Sequence, residues 1–163
     1  KGYVVSIDSL EELYIVLKNL EIDVIEIMFN MIHQEPRYLF DQVKEKGILL
    51  IVKIPFDSGW LTGRFDSNTS FTGIRSRWNQ DVKEKRSEIV KDIQNILGTK
   101  NITKEALQYI LEYDAVTTII PGTRTIEHLY TNIEATKSKL SKNKTKQIEE
   151  LYESKIKNMY TPW

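Results

Sequence analysis

The sequence contains no cysteine. This absence excludes a disulfide framework and any metal site that depends on thiolate ligands. Because disulfides are rare in reducing compartments, a chain without cysteine is expected in the cytoplasm. Histidine is sparse too, with only His33 and His128, and no metal site is expected.

Two further features are missing, an excess of charge of one sign and a long apolar run. The 23 lysine and arginine residues balance 23 aspartate and glutamate residues, so the formal net charge is zero. Nothing therefore attracts the whole chain to nucleic acid or to an acidic membrane. No apolar run approaches the ~20 residues that a membrane-spanning helix needs, and residues 1–6 are typical of a strand and not of a signal peptide. We expect neither a nucleic-acid partner nor a membrane partner.

The P-loop, GxGxxG, HExxH and GxSxG motifs are also absent, so the mechanisms that these motifs mark receive no support. The first residue is Lys1 and not methionine. We expect the chain to be a fragment or a processed product of a longer protein.

What the chain does contain is a regular alternation of strand-like and helical patterns. Four apolar runs have the composition of strands, at residues 3–7, 22–29, 48–54 and 116–120. Helical patterns follow them, at residues 9–20, between Pro36 and Gly47, at 81–97, from Thr103, at 126–137 and at 142–156. In the helix after Pro36, the side chains of Tyr38, Leu39 and Val43 are expected to face inward.

Residues 56–80 have no clear period and carry three glycines, Gly59, Gly63 and Gly73. The pattern predicts a long loop, of a length that is usually functional or disordered. Trp60, Trp78 and Trp163 are interpreted as packing residues, because no basic stripe accompanies them.

Four β-α units predict an α/β fold with a parallel sheet and right-handed crossovers. A complete (β/α)₈ barrel needs ~250 residues, and this chain has 163. The sequence therefore predicts half of a TIM barrel.

An anion site is predicted where the last strand ends. The apolar run stops at Pro121 and Gly122, and a helix follows with Thr125 as its N-cap. The free N–H groups and the dipole of a helix N-terminus attract anions. Arg124 adds a fixed positive charge that can hold a phosphate with two hydrogen bonds.

A second motif is the segment 47–65, which reads GILLIVKIPFDSGWLTGRF. It resembles the next-to-last barrel strand of aldo-keto reductases and the loop that follows, where the family pattern is roughly GI-x-V-x-x-x-SPL-x-SG-x-LTGK-[YF]. Residues 119–132 resemble the part of the same family that holds the adenosine 2′-phosphate of NADP(H). The resemblance covers nearly the whole chain and matches only the C-terminal half of an aldo-keto reductase.

The resemblance implies an α/β fold that is the C-terminal half of a TIM (β/α)₈ barrel, with four parallel β-α units and extra helices. Residues 1–163 would form a single partial domain. Within it, residues 1–54 hold three strands and two helices, residues 55–80 form a loop that embraces the cofactor, and residues 81–163 hold the last strand and the remaining helices.

The resemblance also implies NADP(H) as the cofactor and a set of binding positions. Ser6 matches the serine that holds the nicotinamide carboxamide, Arg64 a lysine on the phosphates, and Asn132 the asparagine on the adenine amine. Either Arg75 or Arg77 matches the arginine that closes over the adenosine. The full set of expected cofactor-binding residues is Ser6, Glu26, Pro55, Phe56, Ser58, Gly59, Leu61, Arg64, Arg75, Gly122, Thr123, Arg124, His128 and Asn132.

The chain departs from the family pattern mainly at the nicotinamide end. Glu26 stands where a glutamine is usual, and an ionised glutamate can only accept hydrogen bonds. Lys53 replaces an aromatic residue or arginine, and Ile54 replaces a serine that meets the pyrophosphate. Asp57 brings a carboxylate close to the pyrophosphate position, which is unfavourable unless its side chain points away.

The family's catalytic tetrad of Asp, Tyr, Lys and His belongs to the N-terminal half. Neither His33 nor His128 matches the position of the family's catalytic histidine. No catalytic residue is therefore assigned to this chain. The alternatives without a function are that Gly59 and Gly63 are ordinary turn glycines and that Arg124 and His128 are solvated surface residues.

Two functions follow from these observations. In the first, the chain is part of an NADP(H)-dependent oxidoreductase that acts on a small carbonyl or alcohol once an N-terminal half-barrel completes it. In the second, it is a non-catalytic binding or regulatory half-barrel that associates with itself or with a partner, because a half-barrel exposes strand edges and an apolar inner face.

Overall fold

A four-stranded parallel sheet forms the centre of the molecule, as a computed structural model describes it for residues 2–162. The strands are β1 (Val4–Ile7), β2 (Val24–Met28), β3 (Leu49–Lys53) and β4 (Val116–Ile119). They lie side by side in chain order, and each neighbouring pair is parallel. The predicted α/β fold with four parallel strands is confirmed, while Trp163 lies outside the described residues.

Within residues 2–162, six α-helices connect and follow the strands: α1 (Leu10–Asn19), α2 (Phe40–Glu45), α3 (Gln80–Leu97), α4 (Thr103–Leu111), α5 (Ile126–Ala135) and α6 (Lys142–Ser154). Helix α1 begins with the predicted capping box, in which Ser9 Oγ accepts from the Glu12 N–H and Glu12 Oε2 accepts from the Ser9 N–H. Its buried residues Leu13, Val16 and Leu17 recur at helical spacing, so this face packs on the sheet side of the core.

Only one face of the sheet is fully covered. Ile25, Ile27, Leu50 and Val52 are fully buried and belong to the hydrophobic core. On the opposite face, Val4 is 64% exposed and Leu49 is 50% exposed. Strands of parallel sheets are normally covered on both faces, so the open face is the side on which the second half of a barrel would close.

Strand β4 joins β3 through a bulge. Leu50 pairs with Val116 and Ile51 with Thr118, so Thr117 is the extra residue. The Thr117 hydroxyl accepts a hydrogen bond from the Leu50 N–H at 3.1 Å, so this backbone N–H has a partner beside the bulge. The bulge brings the end of β4 beside the end of β3.

Two local predictions need correction. The helix expected from Pro36 to Gly47 is a 3₁₀ turn (Glu35–Leu39) followed by the short α2. The side chain of Tyr38 does not face inward: the residue is 40% exposed, and its hydroxyl donates a hydrogen bond to the carboxylate of Glu153. A tyrosine satisfies its polar end this way at the rim of a core.

The long loop after β3 is ordered by an aromatic cluster of its own. It contains two 3₁₀ turns, Asp57–Thr62 and Gly73–Arg77. Trp60 and Trp78 are buried, which confirms that they are packing residues, and their ring centroids are 5.9 Å apart. Phe65 and Phe71 complete the cluster.

Candidate functional site

The principal cleft of interest, with a volume of about 680 Å³, opens at the carboxyl ends of β3 and β4. Ligands of parallel α/β folds bind at this edge because the connecting loops converge there. The lining residues come from the end of β3, the loop behind it and the turn before α5: Lys53, Ile54, Pro55, Phe56, Ser58, Gly59, Thr62, Arg64, Arg75, Ile120, Gly122, Thr123, Arg124 and His128.

A smaller cavity of about 130 Å³ adjoins this cleft. The two share Phe56, Thr62, Arg64, Gly122 and His128. The smaller one adds a set of polar side chains from α4 and α5 and the loop before α4: Asn101, Thr103, Glu127, Thr131 and Asn132.

The structure brings together most of the residues that the sequence predicted for cofactor binding: Pro55, Phe56, Ser58, Gly59, Arg64, Arg75, Gly122, Thr123, Arg124 and His128. Asn132 lies in the adjoining cavity. Leu61 is fully buried in the core, so its side chain lies outside the cleft. Ser6 and Glu26 lie on β1 and β2 and do not themselves line either cavity, although Ser6 contacts the lining residue Lys53.

The backbone at the base of the cleft adopts left-handed conformations. Asp57, Ser58 and Gly59 have φ of 45°, 56° and 106°. The N–H groups of Gly59 and Leu61 both donate to the carbonyl of Phe56, at 2.8 and 3.1 Å. Aspartate tolerates this region better than most residues, and glycine adopts it freely. The chain thereby turns back sharply under the cleft.

The side chain of Asp57 points away from the cleft. It is fully buried and forms an ion pair with the equally buried Arg86 of α3. Its second oxygen, Oδ1, lies 3.3 Å from Nε2 of His33. The unfavourable carboxylate that the sequence placed beside the pyrophosphate position is therefore neutralised inside the core.

Burial shifts the pKa values of both groups around Asp57. Burial and the positive charge of Arg86 lower the pKa of His33 to about 4, so this histidine is neutral at pH 7. Burial also lowers the pKa of Arg86 to about 10, which still leaves the guanidinium charged. The buried group thus contains one positive and one negative charge beside a neutral imidazole.

Three arginines face the cleft without a carboxylate partner among residues 2–162. They are Arg64, Arg75 and Arg124. The guanidinium carbon of Arg75 lies 5.7 Å from the ring centroid of Phe65, which orients this side chain. A group of cations that no anion neutralises is an electrostatic attraction for a polyanionic ligand.

The turn before α5 adds backbone donors to these cations. Thr125 is the N-cap, as predicted, and its hydroxyl accepts from the His128 N–H at 3.2 Å. Asn132 donates to the Thr123 hydroxyl at 3.0 Å, and this hydroxyl donates to the Pro121 carbonyl at 3.2 Å. These contacts fix the turn so that the N-terminus of α5 faces the cleft.

A second polar network, which adjoins the cleft at Lys53, occupies the open face of the sheet. The ammonium of Lys53 donates to Ser6 Oγ at 2.8 Å, and Ser6 Oγ donates to Glu26 Oε1 at 3.2 Å. Lys53 also forms an ion pair with Asp8 at 2.8 Å. The residues expected at the nicotinamide end are thus hydrogen-bonded to one another.

Comparison with known proteins decides the family. The model of the family described as "Aldo/keto reductase family" matches residues 2–153, nearly the whole chain. The chain belongs to this family.

Among curated proteins, aldo-keto reductase yakc of Schizosaccharomyces pombe (strain 972 / ATCC 24843), whose name specifies NADP(+), is 30% identical over 114 residues. That match covers 66% of this chain and 34% of the yeast protein. The chain therefore spans about a third of the length of this curated relative.

Solved structures support the same fold at lower identity. The holo form of aldo-keto reductase AKR11C1 from Bacillus halodurans superposes with a TM-score of 0.69 at 21% identity, over 96% of this chain and 52% of that one. Glycerol dehydrogenase AKR11B4 from Gluconobacter oxydans gives a TM-score of 0.69 at 15% identity, over 98% and 51%. The present chain is thus similar to about half of each of these (β/α)₈ barrels.

The chain contains neither a helix that could span a membrane nor a cluster of metal ligands within residues 2–162. None of its helices within residues 2–162 is long and apolar enough to cross a membrane. The same residues include no group of three or more metal-ligating side chains that could hold a metal ion.

Two residues that support the site were not predicted from the sequence. Arg86 lies four positions after Val82 and three before Ile89, so its inward position could have been found from the spacing. Asn30 lies two residues after the end of β2, but its contact with Ile54 at the end of β3 depends on the register of the sheet.

Proposed function

We propose that this chain is the cofactor-binding half of an NADP(H)-dependent oxidoreductase. The complete protein would transfer hydride from NADPH to a small carbonyl, or from a small alcohol to NADP⁺. The observation that carries the proposal is the group of three arginines without carboxylate partners, Arg64, Arg75 and Arg124, around the 680 Å³ cleft. Because the chain has no net charge, the excess of positive charge around the cleft is local to this site and does not reflect a basic protein.

The phosphate groups of the cofactor fit this cleft. Arginine binds phosphate through two parallel hydrogen bonds, and the N-terminus of α5 adds backbone donors to the same space. Asp57, the carboxylate that would repel a phosphate, is buried against Arg86. Arg124 and Thr123 would hold the 2′-phosphate, which distinguishes NADP(H) from NAD(H).

The adenine would lie in the adjoining cavity of about 130 Å³. His128 can stack on or hydrogen-bond to the base from the first turn of α5. Asn132 would hold the exocyclic amine through its side-chain oxygen, because its Nδ2 already donates to Thr123.

The nicotinamide end is the altered part of the proposed site. When bound, NADP(H) supplies the hydride that the reaction transfers. Ser6 and Glu26 would orient the carboxamide, with the ionised Glu26 accepting from its NH₂ group. Since the Ser6 hydroxyl already donates to Glu26 and accepts from Lys53, this network has to rearrange around the ring.

Catalysis would need residues that this chain does not supply. We assign no proton donor to it, and the acid and base of the reaction would come from an N-terminal half-barrel. The relatives are about twice as long as the matched segment or longer, which supports such a partner.

Calorimetric titration of NADPH and NADH into the chain tests the proposal. We expect NADPH to bind more tightly than NADH, and Arg124→Ala to remove most of the difference while Arg124→Lys keeps part of it. Equal affinities for the two cofactors in the unchanged chain would refute the role of Arg124. Turnover of NADPH with an aldehyde by this chain alone would refute the assignment of catalysis to another half.

A second candidate function is a non-catalytic half-barrel that associates with itself. Helix α5 exposes Ile126, Leu129, Tyr130 and Ile133 at positions i, i+3, i+4 and i+7, which form one apolar stripe. The open face of the sheet lies exposed as well. Light scattering coupled to size exclusion distinguishes the two functions, because a monomer at micromolar concentration counts against self-association.

A further inference from the structure

Arg86 lies at the junction of three segments that are distant in the sequence. Its side chain is fully buried on the inner face of α3. Nη1 forms the ion pair with Asp57, beneath the cleft. The guanidinium carbon lies 5.3 Å from the ring centroid of Trp78, at the end of the aromatic loop. One charged group therefore contacts both ends of the loop that forms a wall of the cleft.

The third segment is the C-terminal tail. Nη2 of Arg86 donates to the carbonyl oxygens of Thr161 and Pro162, at 3.3 and 2.9 Å. Neither tail residue lines the cleft. Any influence of these carbonyls on a ligand in the cleft has to pass through other groups, and Arg86 provides a direct connection.

We infer that Arg86 is a positioning residue that couples the C-terminal tail to the affinity of the cleft for NADP(H). The inference rests on the proposed function for the identity of the ligand. The tail carbonyls hold the guanidinium in one orientation, and the guanidinium in turn holds the Asp57 carboxylate inside the core.

The physical reason is the cost of burying charge. Burying a guanidinium costs less when its donors are occupied, and the planar fork of arginine presents donors on more than one side at once. Nη1 of Arg86 pairs with Asp57 and Nη2 with the tail carbonyls, whereas Nε has no hydrogen-bond partner among residues 2–162. Without the tail carbonyls, water reaches the guanidinium and its pair with Asp57 loosens. Asp57 then rotates toward the cleft, where its negative charge opposes the phosphates.

Shortening the tail tests the coupling without touching the cleft. A chain that ends at Tyr160 lacks both carbonyl acceptors, whereas Thr161→Ala keeps them and serves as the matched control. We expect the shortened chain to bind NADPH roughly tenfold more weakly, within the range usual for coupling between sites. Thr161→Ala should bind NADPH like the unchanged chain.

Amide hydrogen exchange in the free chain gives a second readout that needs no ligand. The N–H groups of Gly59 and Leu61 should exchange roughly tenfold faster after the truncation, because the turn opens locally. The amides of Ile25 and Leu50 in the sheet should be unchanged. A purely structural role would instead speed exchange throughout the core, and that pattern would overturn the inference.

Substitutions at Arg86 complete the test. Arg86→Lys keeps a charge for Asp57, but its ammonium lacks the planar fork that reaches Asp57 and both tail carbonyls at once, so we expect it to match the truncation. If Arg86→Met fails to fold, Arg86→Met combined with Asp57→Asn removes both buried charges and should restore folding. The Gly59 amide of this double variant should still exchange faster than in the unchanged chain. Unchanged exchange at Gly59 in Arg86→Lys and in the truncated chain would refute the positioning role.

The two proposals can fail separately. If the unchanged chain does not bind NADPH, the proposed function is wrong, and hydrogen exchange alone decides whether Arg86 positions the loop. If NADPH binds and neither its affinity nor the exchange at Gly59 responds to the truncation, the coupling is wrong and the proposed function stands.

Discussion

The side-chain amide of Asn30 donates a hydrogen bond of 3.0 Å to the carbonyl oxygen of Ile54. Asn30 follows β2, and Ile54 follows β3, so this contact ties the ends of two neighbouring strands together. Ile54 has φ of 56°, which is an outlier for a β-branched residue. The hydrogen bond from Asn30 stabilises this conformation at the point where the chain enters the cleft.

Asn30→Asp should destabilise the fold strongly. Oδ1 of Asn30 accepts from the N–H groups of Ile32 and His33, at 2.9 and 3.0 Å. Aspartate keeps the oxygen that accepts these two hydrogen bonds, but it replaces the donating NH₂ group with a second carboxylate oxygen. That oxygen would be buried next to the Ile54 carbonyl oxygen, and the two would repel each other. We expect a loss of about 2–4 kcal/mol in the free energy of unfolding, measured in urea. The control Asn68→Asp, at an exposed position, should change it by less than about 0.5 kcal/mol.

Gly63 and Gly122 should respond differently to alanine. A Cβ at Gly63 would lie 2.0 Å from the Lys100 carbonyl oxygen, and φ is +75°. A Cβ at Gly122 would meet no atom within 4 Å. Gly63→Ala should therefore cost about 2–4 kcal/mol of stability, whereas Gly122→Ala should leave the melting temperature unchanged and weaken NADPH binding only. A stable Gly63→Ala variant would contradict the packing described for this turn.

The folded protein should lose stability between pH 6.5 and pH 4 through His33. Burial and Arg86 lower the pKa of His33 from 6.5 to about 4. Within this window the unfolded chain binds a proton that the folded chain does not, so stability falls as the pH falls. The full effect is about 3 kcal/mol. Urea unfolding of His33→Gln across the same pH range should show a shallower slope, and an identical slope would rule out this role for His33.

Substitution of Arg75 and of Arg77 should have different effects on NADPH binding. Arg75 lines the cleft, whereas the guanidinium of Arg77 lies 5.2 Å from the Trp78 ring centroid and donates to the Ile74 carbonyl. We expect Arg75→Ala to weaken NADPH binding by about 1.5–3 kcal/mol, the contribution of a hydrogen bond to a charged group. Arg77→Ala is the matched control and should change the dissociation constant little. The reverse order would assign the adenosine contact to Arg77.

The sequence was sufficient for the features that depend on local pattern. The apolar runs located the four strands, the capping box located the start of α1, and Thr125 was identified as the cap of α5. The proposed phosphate residues lie around one cleft because the order of parallel strands sets which loops meet.

The remaining features depend on contacts between distant segments. The orientation of Asp57 follows from the position of Arg86 on α3, twenty-nine residues later, and no local pattern encodes it. Leu61 was expected in the binding site from the motif, but the left-handed turn at Ser58 and Gly59 sends its side chain into the core. Tyr38 lies in the 3₁₀ turn before α2 and donates to Glu153 of α6, a contact between distant segments that no local pattern encodes.

The aromatic cluster of Trp60, Phe65, Phe71 and Trp78 has a consequence for the thermodynamics of recognition. Neighbouring rings in the cluster lie 5.0 to 5.9 Å apart, so the loop that carries Ser58, Arg64 and Arg75 to the wall of the cleft is packed before any ligand arrives. A ligand that binds to a preformed wall immobilises few side chains and little backbone, and its association loses correspondingly little conformational entropy. The cleft thus has a preorganised wall within a segment that, from its composition, has the character of a loop.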